Sequence, residues 1–283
     1  MKSASIGLCA LFLGLTASAS GWAQQAPSEI RISRQPHLEF IGDRQVSFIA
    51  RDLETGETHV LEGSEPDHRR GPWSTFKIPN LVIALETGAA ESLDTELPWD
   101  SAQRPPASYW PEDWRQDQTL RSAFVRSAAW AFQDLALEIG TDIYQDILPA
   151  WSYGDAEVAD GSDRFWLDHT LEISPREQIN FLEHLQKREL GVSEASLAAL
   201  DEVSLAGQRP DGELHGKTGA GPVVLTDQDG RYEGWYVGYL VREERAPIVF
   251  ALHAEASSFD DVRLFRRQMA ERLLTDATSY AHP

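Results

Sequence analysis

The polar and apolar positions divide the chain into strand-like ends and a helical middle. Residues 45–51 and 58–61 alternate between apolar and polar side chains around a Glu-Thr-Gly-Glu segment, which predicts a β-hairpin. Apolar residues then recur at helical spacing from Leu120 to Ile139, and Gly140 follows. The pattern predicts one helix over these twenty or so residues, followed by a stop.

Later segments carry further helix and strand signals. Ser174, Pro175 and Glu177 form a capping box with proline at the first helical position, which predicts a helix to about Lys187. Strand patterns return after about residue 205, and an amphipathic helix is expected at the end of the chain. The remaining predicted segments are helices over 193–200 and 260–274, and strands over 213–218, 223–226, 234–241 and 247–253.

Strands on both sides of a helical block predict an α+β fold. The economical arrangement is an antiparallel sheet made from both ends of the chain, flanked by helices, with an all-helical subdomain inserted. The expected sheet subdomain covers about residues 24–80 and 205–283, and the helical subdomain about 81–204.

The first residues have the pattern of a secretory signal peptide. A basic Lys2 precedes an apolar stretch over 6–16, and small residues stand before the expected cut after Ala23, with a cut after Ala19 as the alternative. The predicted signal therefore covers residues 1–23. It contains Cys9, the only cysteine, so the mature chain is expected to have no disulfide and no thiol chemistry. Export without disulfides favours a periplasmic location.

Charge and composition exclude several classes of function. The chain has 45 acidic and 25 basic side chains, and its net charge of −20 speaks against nucleic-acid or membrane partners after signal cleavage. The eight histidines show no metal-binding spacing, so no metal is expected. Gly219 and Gly221 are followed by Pro222, which does not fit a dinucleotide loop. Monomer and homodimer both remain open.

Four short motifs carry the candidate chemistry, and they occur in a fixed order. In the first, Ser74 and Lys77 are three residues apart, so a helical turn brings the hydroxyl and the amine to one face. Pro79 predicts that this turn is the distorted start of a helix. The motifs are Ser74-Thr75-Phe76-Lys77, Ser127-Ala128-Ala129, Tyr153-Gly154-Asp155 and Lys217-Thr218-Gly219.

A lysine can act as a base here only if its side chain is not the ordinary protonated ammonium. An unperturbed lysine has a pKa of about 10.4 and is protonated at neutral pH. Burial lowers that pKa, and Trp73, Phe76 and Ile78 supply apolar neighbours. The sequence therefore predicts that Lys77 is either desolvated or covalently modified.

The motifs and their surroundings resemble the class D, oxacillinase-type serine β-lactamases, which are penicillin-recognising serine hydrolases. The resemblance covers nearly all of the expected mature chain. Class A enzymes are a close alternative, but they use a Ser-Asp-Asn motif that this sequence lacks. The segments that resemble class D are 71–80, 120–130, 165–168, 171–178 and 234–238.

The resemblance implies a mechanism and assigns residues to it. Ser74 is the nucleophile, and Lys77, as a carbamate formed with carbon dioxide (N6-carboxylysine), is the base for acylation and deacylation. Trp166 hydrogen-bonds that carbamate, and Ser127 passes a proton to the leaving lactam nitrogen. No other cofactor is implied. The substrates would be β-lactam antibiotics.

The resemblance also implies the groups that bind the substrate. The N–H groups of Ser74 and Ala220 form the oxyanion hole. Lys217, Thr218 and Gly219 lie on an inner strand beside the substrate carboxylate. An arginine of the last helix is expected to bind that carboxylate as well. Arg266 fits the family spacing better than Arg263 or Arg267, because Met269, Leu273 and Leu274 follow it at +3, +7 and +8.

Two other functions remain open at this stage. β-Lactam sensor domains share the fold and stay acylated, and cell-wall peptidases or transpeptidases act on D-alanyl-D-alanine peptides. Two positions also depart from the class D pattern, because Ala129 stands where valine is usual and Asp155 where asparagine is usual.

Overall fold

A computed structural model describes residues 29–227 and 230–279. The predicted signal peptide, with Cys9, lies outside the described residues. A large sheet runs through the described part of the chain, with strands taken from both of its ends. The strands are β1 Glu29–Ile32, β2 Gln45–Asp52, β3 Thr58–Leu61, β4 Glu96–Leu97, β5 Gln118–Thr119, β6 Leu205–Arg209, β7 Gly212–Pro222, β8 Tyr232–Arg242 and β9 Arg245–Ala256.

Seven of these strands form the main sheet, in the order β1-β3-β2-β9-β8-β7-β6. All neighbours are antiparallel except β1 and β3, which run parallel, so the sheet is mixed. The predicted hairpin is confirmed as β2 and β3. The centre of the sheet joins the two ends of the chain, because β2 pairs with β9 from Gln45 opposite Glu255 to Asp52 opposite Ile248.

Helices cover both faces of the sheet. The helices α8 and α9 bury Val262, Met269 and Leu273 against one face, and α6 packs on β2 and β9 from the other. The α+β fold class is thus confirmed. The helices are α1 Leu38–Ile41, α2 Lys77–Thr87, α3 Leu120–Arg126, α4 Ala129–Ile139, α5 Thr141–Ala150, α6 Pro175–Gln186, α7 Glu194–Ser204, α8 Phe259–Arg263 and α9 Phe265–Ser279.

The predicted capping box is confirmed at the start of α6. The Ser174 hydroxyl accepts from the Glu177 backbone N–H at 3.2 Å, and the Glu177 carboxylate accepts from the Ser174 N–H at 2.9 Å. Two backbone donors that the helix leaves unpaired are satisfied in this way. The division of the chain into subdomains at about residues 80 and 204 stays a prediction.

Two predicted helices are each divided in the structure. The segment from Leu120 to Ile139 forms α3 and α4, because Ser127 has left-handed backbone geometry with φ 61° and ends the first helix. The segment from 260 to 274 forms α8 and α9, which meet around Leu264. Apolar spacing continues across both breaks, so periodicity alone did not reveal them.

The strand predictions need three corrections. Residues 213–222 form one continuous strand, β7, although the glycines at 219 and 221 suggested an end. Residues 223–226 are a turn, and Val224 and Leu225 are exposed there. The short strands β1, β4, β5 and β6 were not predicted, because two to five residues carry little alternation.

A buried ion pair ties the far end of the sheet together. Both guanidinium Nη atoms of Arg242 donate to the Asp52 carboxylate, at 2.8 and 2.7 Å, and both side chains are nearly inaccessible to solvent. Burial is the largest single influence on the pKa of Asp52 and raises it. The hydrogen bonds from Arg242 and from the backbone N–H of Glu54 together outweigh burial, so the pKa of Asp52 lies below its usual value.

Within residues 29–227 and 230–279, no helix has the length and apolar character needed to cross a membrane.

Candidate active site

The first motif lies in a 3₁₀ turn, Trp73–Phe76, that leads into α2. In a 3₁₀ helix, side chains three residues apart are eclipsed. The Lys77 Nζ atom therefore reaches the Ser74 Oγ atom and donates to it at 2.9 Å. Ser74 is half-buried, which leaves its hydroxyl accessible to a substrate. The turn thus presents a hydroxyl with an amine aligned behind it.

The Lys77 amine lies in an apolar environment. Its side chain is 0% exposed, and Nζ is 5.3 Å from the centroid of the Phe132 ring. Burial disfavours the charged ammonium and lowers the pKa of Lys77 to about 7. A substantial fraction of Lys77 is consequently a neutral amine near pH 7.

Ser127 reaches the site because α3 ends there. A left-handed conformation at a residue other than glycine costs roughly 1 kcal/mol or more and is often found at functional sites. At Ser127 this conformation separates α3 from α4, and its Oγ accepts a hydrogen bond from Lys217 Nζ at 2.9 Å. The second and fourth motifs are thereby joined.

Lys217 lies on β7 and is also buried. Its Nζ donates a second hydrogen bond, at 3.0 Å, to the Thr218 carbonyl oxygen. Burial lowers the pKa of Lys217 well below its ordinary value, and the positive charges of Lys77 and Arg266 lower it further. Two amines of reduced proton affinity therefore flank Ser74 and Ser127.

The strand β7 approaches the 3₁₀ turn so closely that only glycine fits at position 219. A Cβ atom on Gly219 would lie 2.8 Å from the Pro72 carbonyl oxygen and 3.1 Å from the Ser74 nitrogen. Ala220 directly follows this point of close approach on β7. The arrangement fits the predicted pair of N–H donors.

Arg266 is the one of the three C-terminal candidates that packs against β7. It is 7% exposed, and its Nη1 donates to the Gly219 carbonyl oxygen at 2.7 Å. Burial, followed by the nearby Arg263, lowers the pKa of Arg266 to about 10, so it remains a cation at neutral pH. Arg263 is 53% exposed, and Arg267 pairs with Glu271 on the helix surface.

Trp166 is fully buried beside the 3₁₀ turn. Its ring stacks on Phe76 with a centroid separation of 5.1 Å, and its carbonyl oxygen accepts from the Trp73 N–H at 3.1 Å. The indole Nε1 is buried and has no hydrogen-bond partner within the described part of the chain. Such a donor is costly unless an acceptor is supplied.

The two positions that depart from the class D pattern have different surroundings. The Asp155 carboxylate accepts from the Glu172 N–H at 3.0 Å and from the Glu157 N–H at 3.3 Å, so it stabilises its own loop. Ala129 is half-buried and borders a surface pocket of about 270 Å³ that Leu167 also lines.

Three residues that help to form the site were not predicted from the sequence. Phe132 and Phe124 lie under the Lys77 and Lys217 amines, at 5.3 and 5.7 Å. Glu233 accepts a hydrogen bond from the Trp73 indole. In the sequence the phenylalanines were visible only as helix core positions, and no local pattern marked Glu233 as buried. Among the described residues, no group of three or more His, Asp, Glu or Cys side chains could hold a metal.

Known proteins share this arrangement of motifs and fold. The sequence profile described as the penicillin-binding protein transpeptidase domain matches residues 47–269. The probable β-lactamase YbxI of Bacillus subtilis is 34% identical over 215 residues, which cover 76% of each chain. The solved structure of a class D β-lactamase from Bacillus subtilis is 31% identical, with a TM-score of 0.71 and coverage of 83% of this chain and 94% of that one. The chain belongs to the class D β-lactamases.

The family assignment confirms the resemblance seen in the sequence. A further relative of this β-lactamase is the regulatory protein BlaR1 of Bacillus licheniformis, 32% identical over 197 residues, which cover 69% of this chain and 31% of that protein. The similarity thus extends to part of a protein that is named for regulation. The roles of individual residues rest on the geometry described above.

The buried Lys77 amine predicts a distinctive dependence of stability on pH. The unfolded chain binds the Lys77 proton up to about pH 10.4, whereas the folded β-lactamase releases it near pH 7. Because the unfolded state binds more protons in this window, the free energy of unfolding should rise with pH by roughly 1.4 kcal/mol per unit.

The measurement is urea unfolding of the wild type and of Lys77→Met between pH 7 and 9.5, in buffer free of carbon dioxide. Groups that do not interact with Lys77 titrate equally in both proteins, so their contributions cancel in the difference. The contribution of Lys217 does not cancel completely, because the charge of Lys77 is the second influence, after burial, that lowers the pKa of Lys217. The wild type should gain stability relative to the variant as the pH rises. Parallel curves would show that Lys77 has an ordinary pKa.

Proposed function

We propose that this β-lactamase opens β-lactam amides through an acyl-enzyme on Ser74, with Lys77 as the general base. The observation that carries the proposal is the 2.9 Å hydrogen bond between Lys77 Nζ and Ser74 Oγ, together with the complete burial of that amine. A serine hydroxyl is a weak nucleophile unless a neighbouring base accepts its proton. The lowered pKa of Lys77 makes a base available at neutral pH.

The proposed acylation step conserves atoms and protons. Ser74 Oγ attacks the lactam carbonyl carbon while its proton passes to the base at Lys77. The carbon–nitrogen bond then breaks, and the lactam nitrogen receives a proton from Ser127. The 2.9 Å contact with Lys217 supports this role, because it orients the Ser127 hydroxyl and can return the proton. The proton held at Lys77 then passes through solvent to Lys217, which frees the base. In deacylation the base takes a proton from water, the resulting hydroxide attacks the ester carbonyl carbon, and the ester bond to Ser74 Oγ breaks as Oγ receives that proton from Lys77.

Backbone N–H groups would stabilise the negative oxygen that develops on the substrate. The close approach of Gly219 to Ser74 supports a pair formed by the N–H groups of Ser74 and Ala220. Preorganised donors of this kind contribute roughly 3 kcal/mol each in enzymes whose oxyanion holes have been altered. The hole would serve both acylation and deacylation.

We propose further that the base is the carbamate of Lys77, formed when its neutral amine attacks carbon dioxide and loses a proton. Two observations support this modification. Burial holds part of Lys77 in the neutral form that reacts. The buried Trp166 indole N–H lacks an acceptor, which a carbamate oxygen would supply.

The substrate carboxylate would bind beside β7. Arg266 supplies a positive charge there, and an approaching anion would raise the lowered pKa of Lys217 and so favour its charged form. The half-buried Thr218 supplies a hydroxyl next to Lys217 on the strand. Because both basic side chains are buried, their attraction for an anion is screened less than at the surface. We also propose that the protein is exported to the periplasm, because its first residues have the pattern of a secretory signal peptide.

A sensor function is the second candidate, and the relative BlaR1, named a regulatory protein, favours it. Such a protein would form the same acyl-enzyme but release it slowly. Continuous turnover of nitrocefin marks the hydrolase, and a single stoichiometric burst marks the sensor. Release of D-alanine from a D-alanyl-D-alanine peptide would instead indicate a peptidase of the transpeptidase family.

Acylation at Ser74 is the direct test of the proposed function. We expect incubation with a slowly hydrolysed penicillin, followed by digestion and mass spectrometry, to place the adduct on the peptide that contains Ser74. Ser74→Ala should lose both the adduct and nitrocefin turnover, while Ser127→Ala should retain a slow adduct because the nucleophile remains. An adduct at another residue, or an active Ser74→Ala protein, would refute the mechanism.

The environment of the C-terminal arginines predicts a difference in substrate binding. Arg266→Ala should raise the KM for carboxylate-bearing β-lactams by about tenfold or more, since a lost ground-state ion pair appears mainly in KM. Arg263→Ala is the matched control, and its exposed side chain should leave KM nearly unchanged. The KM values of both variants are measured by steady-state kinetics. A larger increase in KM for Arg263→Ala than for Arg266→Ala would contradict the proposed carboxylate site.

Ala129 predicts an unusual requirement for bicarbonate. Valine at this position would add two methyl groups beside a pocket that now reaches the surface. Ala129 lies about one turn before Phe132 on α4, and the Phe132 ring packs against the Lys77 amine. We hypothesise that water admitted at this end of α4 favours the charged ammonium of Lys77 and hence the loss of carbon dioxide. We expect Ala129→Val to lower the bicarbonate concentration needed for half-maximal nitrocefin hydrolysis. Titration of both degassed proteins at mildly acidic pH measures this, and superimposable curves would mean that position 129 affects only packing.

A further inference from the structure

A buried carboxylate lies behind the nucleophile and takes no part in the mechanism described above. Glu233, on β8, is 2% exposed. Its Oε1 accepts from the Trp73 indole N–H at 2.6 Å, and its Oε2 is 3.0 Å from His253 Nε2. A carboxylate removed from water costs several kcal/mol unless its oxygens are satisfied. Here each oxygen has its own partner.

Trp73, the first of these partners, directly precedes the nucleophile and has strained backbone geometry. Its φ of 51° is unusual for a bulky residue, and conformations of this kind cost of order 1–3 kcal/mol unless the surroundings enforce them. Its backbone N–H is held by the Trp166 carbonyl oxygen at 3.1 Å. The indole end is held by Glu233, so the residue is fixed at both ends.

The same indole also lies against β7. A Cβ atom at Gly221 would come within 2.2 Å of the Trp73 ring, so the ring occupies the space that a side chain would take. Gly221 and Gly219 flank Ala220, one of the two proposed oxyanion donors. The other donor, the Ser74 N–H, belongs to the peptide unit that joins Trp73 to Ser74. Trp73 is therefore connected to both donors, to one by a covalent bond and to the other by packing.

The third member of the cluster, His253, orients the carboxylate from β9. Because a carboxylate only accepts hydrogen bonds, His253 Nε2 carries the proton in this contact. Burial lowers the pKa of His253, and the hydrogen bond to Glu233 opposes that shift. The other charged or titratable groups near the cluster are His169, whose Nε2 is 3.8 Å from Glu233 Oε1, and the paired side chains Arg70 and Glu255.

We propose that Glu233 is a positioning residue of this active site: it clamps the Trp73 indole against β7 and thereby fixes the Ser74 and Ala220 N–H groups as an oxyanion hole. The inference rests on the proposed function. Its physical basis is that a displacement of about 1 Å in a catalytic group can reduce a rate by about a hundredfold. Glu233 acts through Trp73, because its carboxylate is 2% exposed and both of its oxygens are bonded to protein groups.

The test compares three single variants and one double variant in their reaction with nitrocefin. Glu233→Leu removes the acceptor and should lower kcat for acylation and deacylation by about ten- to hundredfold, with little change in KM, since oxyanion donors act mainly in the transition state. Glu233→Gln keeps an oxygen that can accept from the indole and should restore most of the rate. Trp73→Phe keeps an aromatic ring without the donor and should resemble Glu233→Leu. The double variant Glu233→Leu/Trp73→Phe should have nearly the same kcat as each of the two single variants, because both substitutions break the same hydrogen bond.

Two controls separate positioning from a loss of stability or of the base. Asp52→Asn alters another buried carboxylate, the partner of Arg242, and should lower the melting temperature while leaving kcat unchanged. The bicarbonate concentration for half-maximal activity should be the same in Glu233→Leu as in the wild type, since Lys77 is not affected.

The outcomes distinguish this inference from the function on which it rests. A folded Glu233→Leu protein with wild-type kcat overturns the positioning role while acylation of Ser74 stands. If Glu233→Leu does not fold, the test rests on Trp73→Phe, and a wild-type kcat in that variant overturns the positioning role of Glu233. A wild-type protein that reacts with no β-lactam overturns the proposed function and the oxyanion hole with it.

Discussion

The removal of the Lys77 amine from water is the constraint on which the site depends. Within the described part of the chain an ammonium at this position forms no ion pair, since its near neighbours are Ser74 Oγ and the Phe132 ring. The neutral amine is compatible with such surroundings and is also the chemically useful form. The aromatic residues packed around α2 therefore stabilise the fold and, by the same contacts, produce a base. A polar substitution in that layer would weaken both.

Two left-handed residues and one close strand place the remaining groups. Ser127 ends α3 with φ 61°, and Trp73 precedes the nucleophile with φ 51°. Neither residue is glycine, so both conformations are maintained by tertiary contacts, the first through Lys217 and the second through Glu233. The geometry of the site is thus supported from β7 and β8. The sheet acts as a rigid frame for a turn that would not hold its shape alone.

The sequence predicted the parts of this molecule that depend on local spacing. The i, i+3 relation of Ser74 and Lys77, the capping box at Ser174 and the strands β2, β3, β8 and β9 all follow from short-range patterns. The breaks at Ser127 and Leu264 did not, because apolar periodicity continues through them. Glu233 was also missed, since its partners Trp73 and His253 lie far away in the chain and only folding brings them together.

The pairing of β2 with β9 has a consequence for how the molecule assembles. It joins residues near the two ends of the chain, from Gln45 opposite Glu255 to Asp52 opposite Ile248. Contacts of such large sequence separation carry a high entropic cost of loop closure, which slows folding. The helices of the middle segment, by contrast, are built from local contacts. Because Ser74 follows β2 and β3 whereas Lys217 lies on β7, the reactive centre is complete only when these two distant parts of the chain have come together.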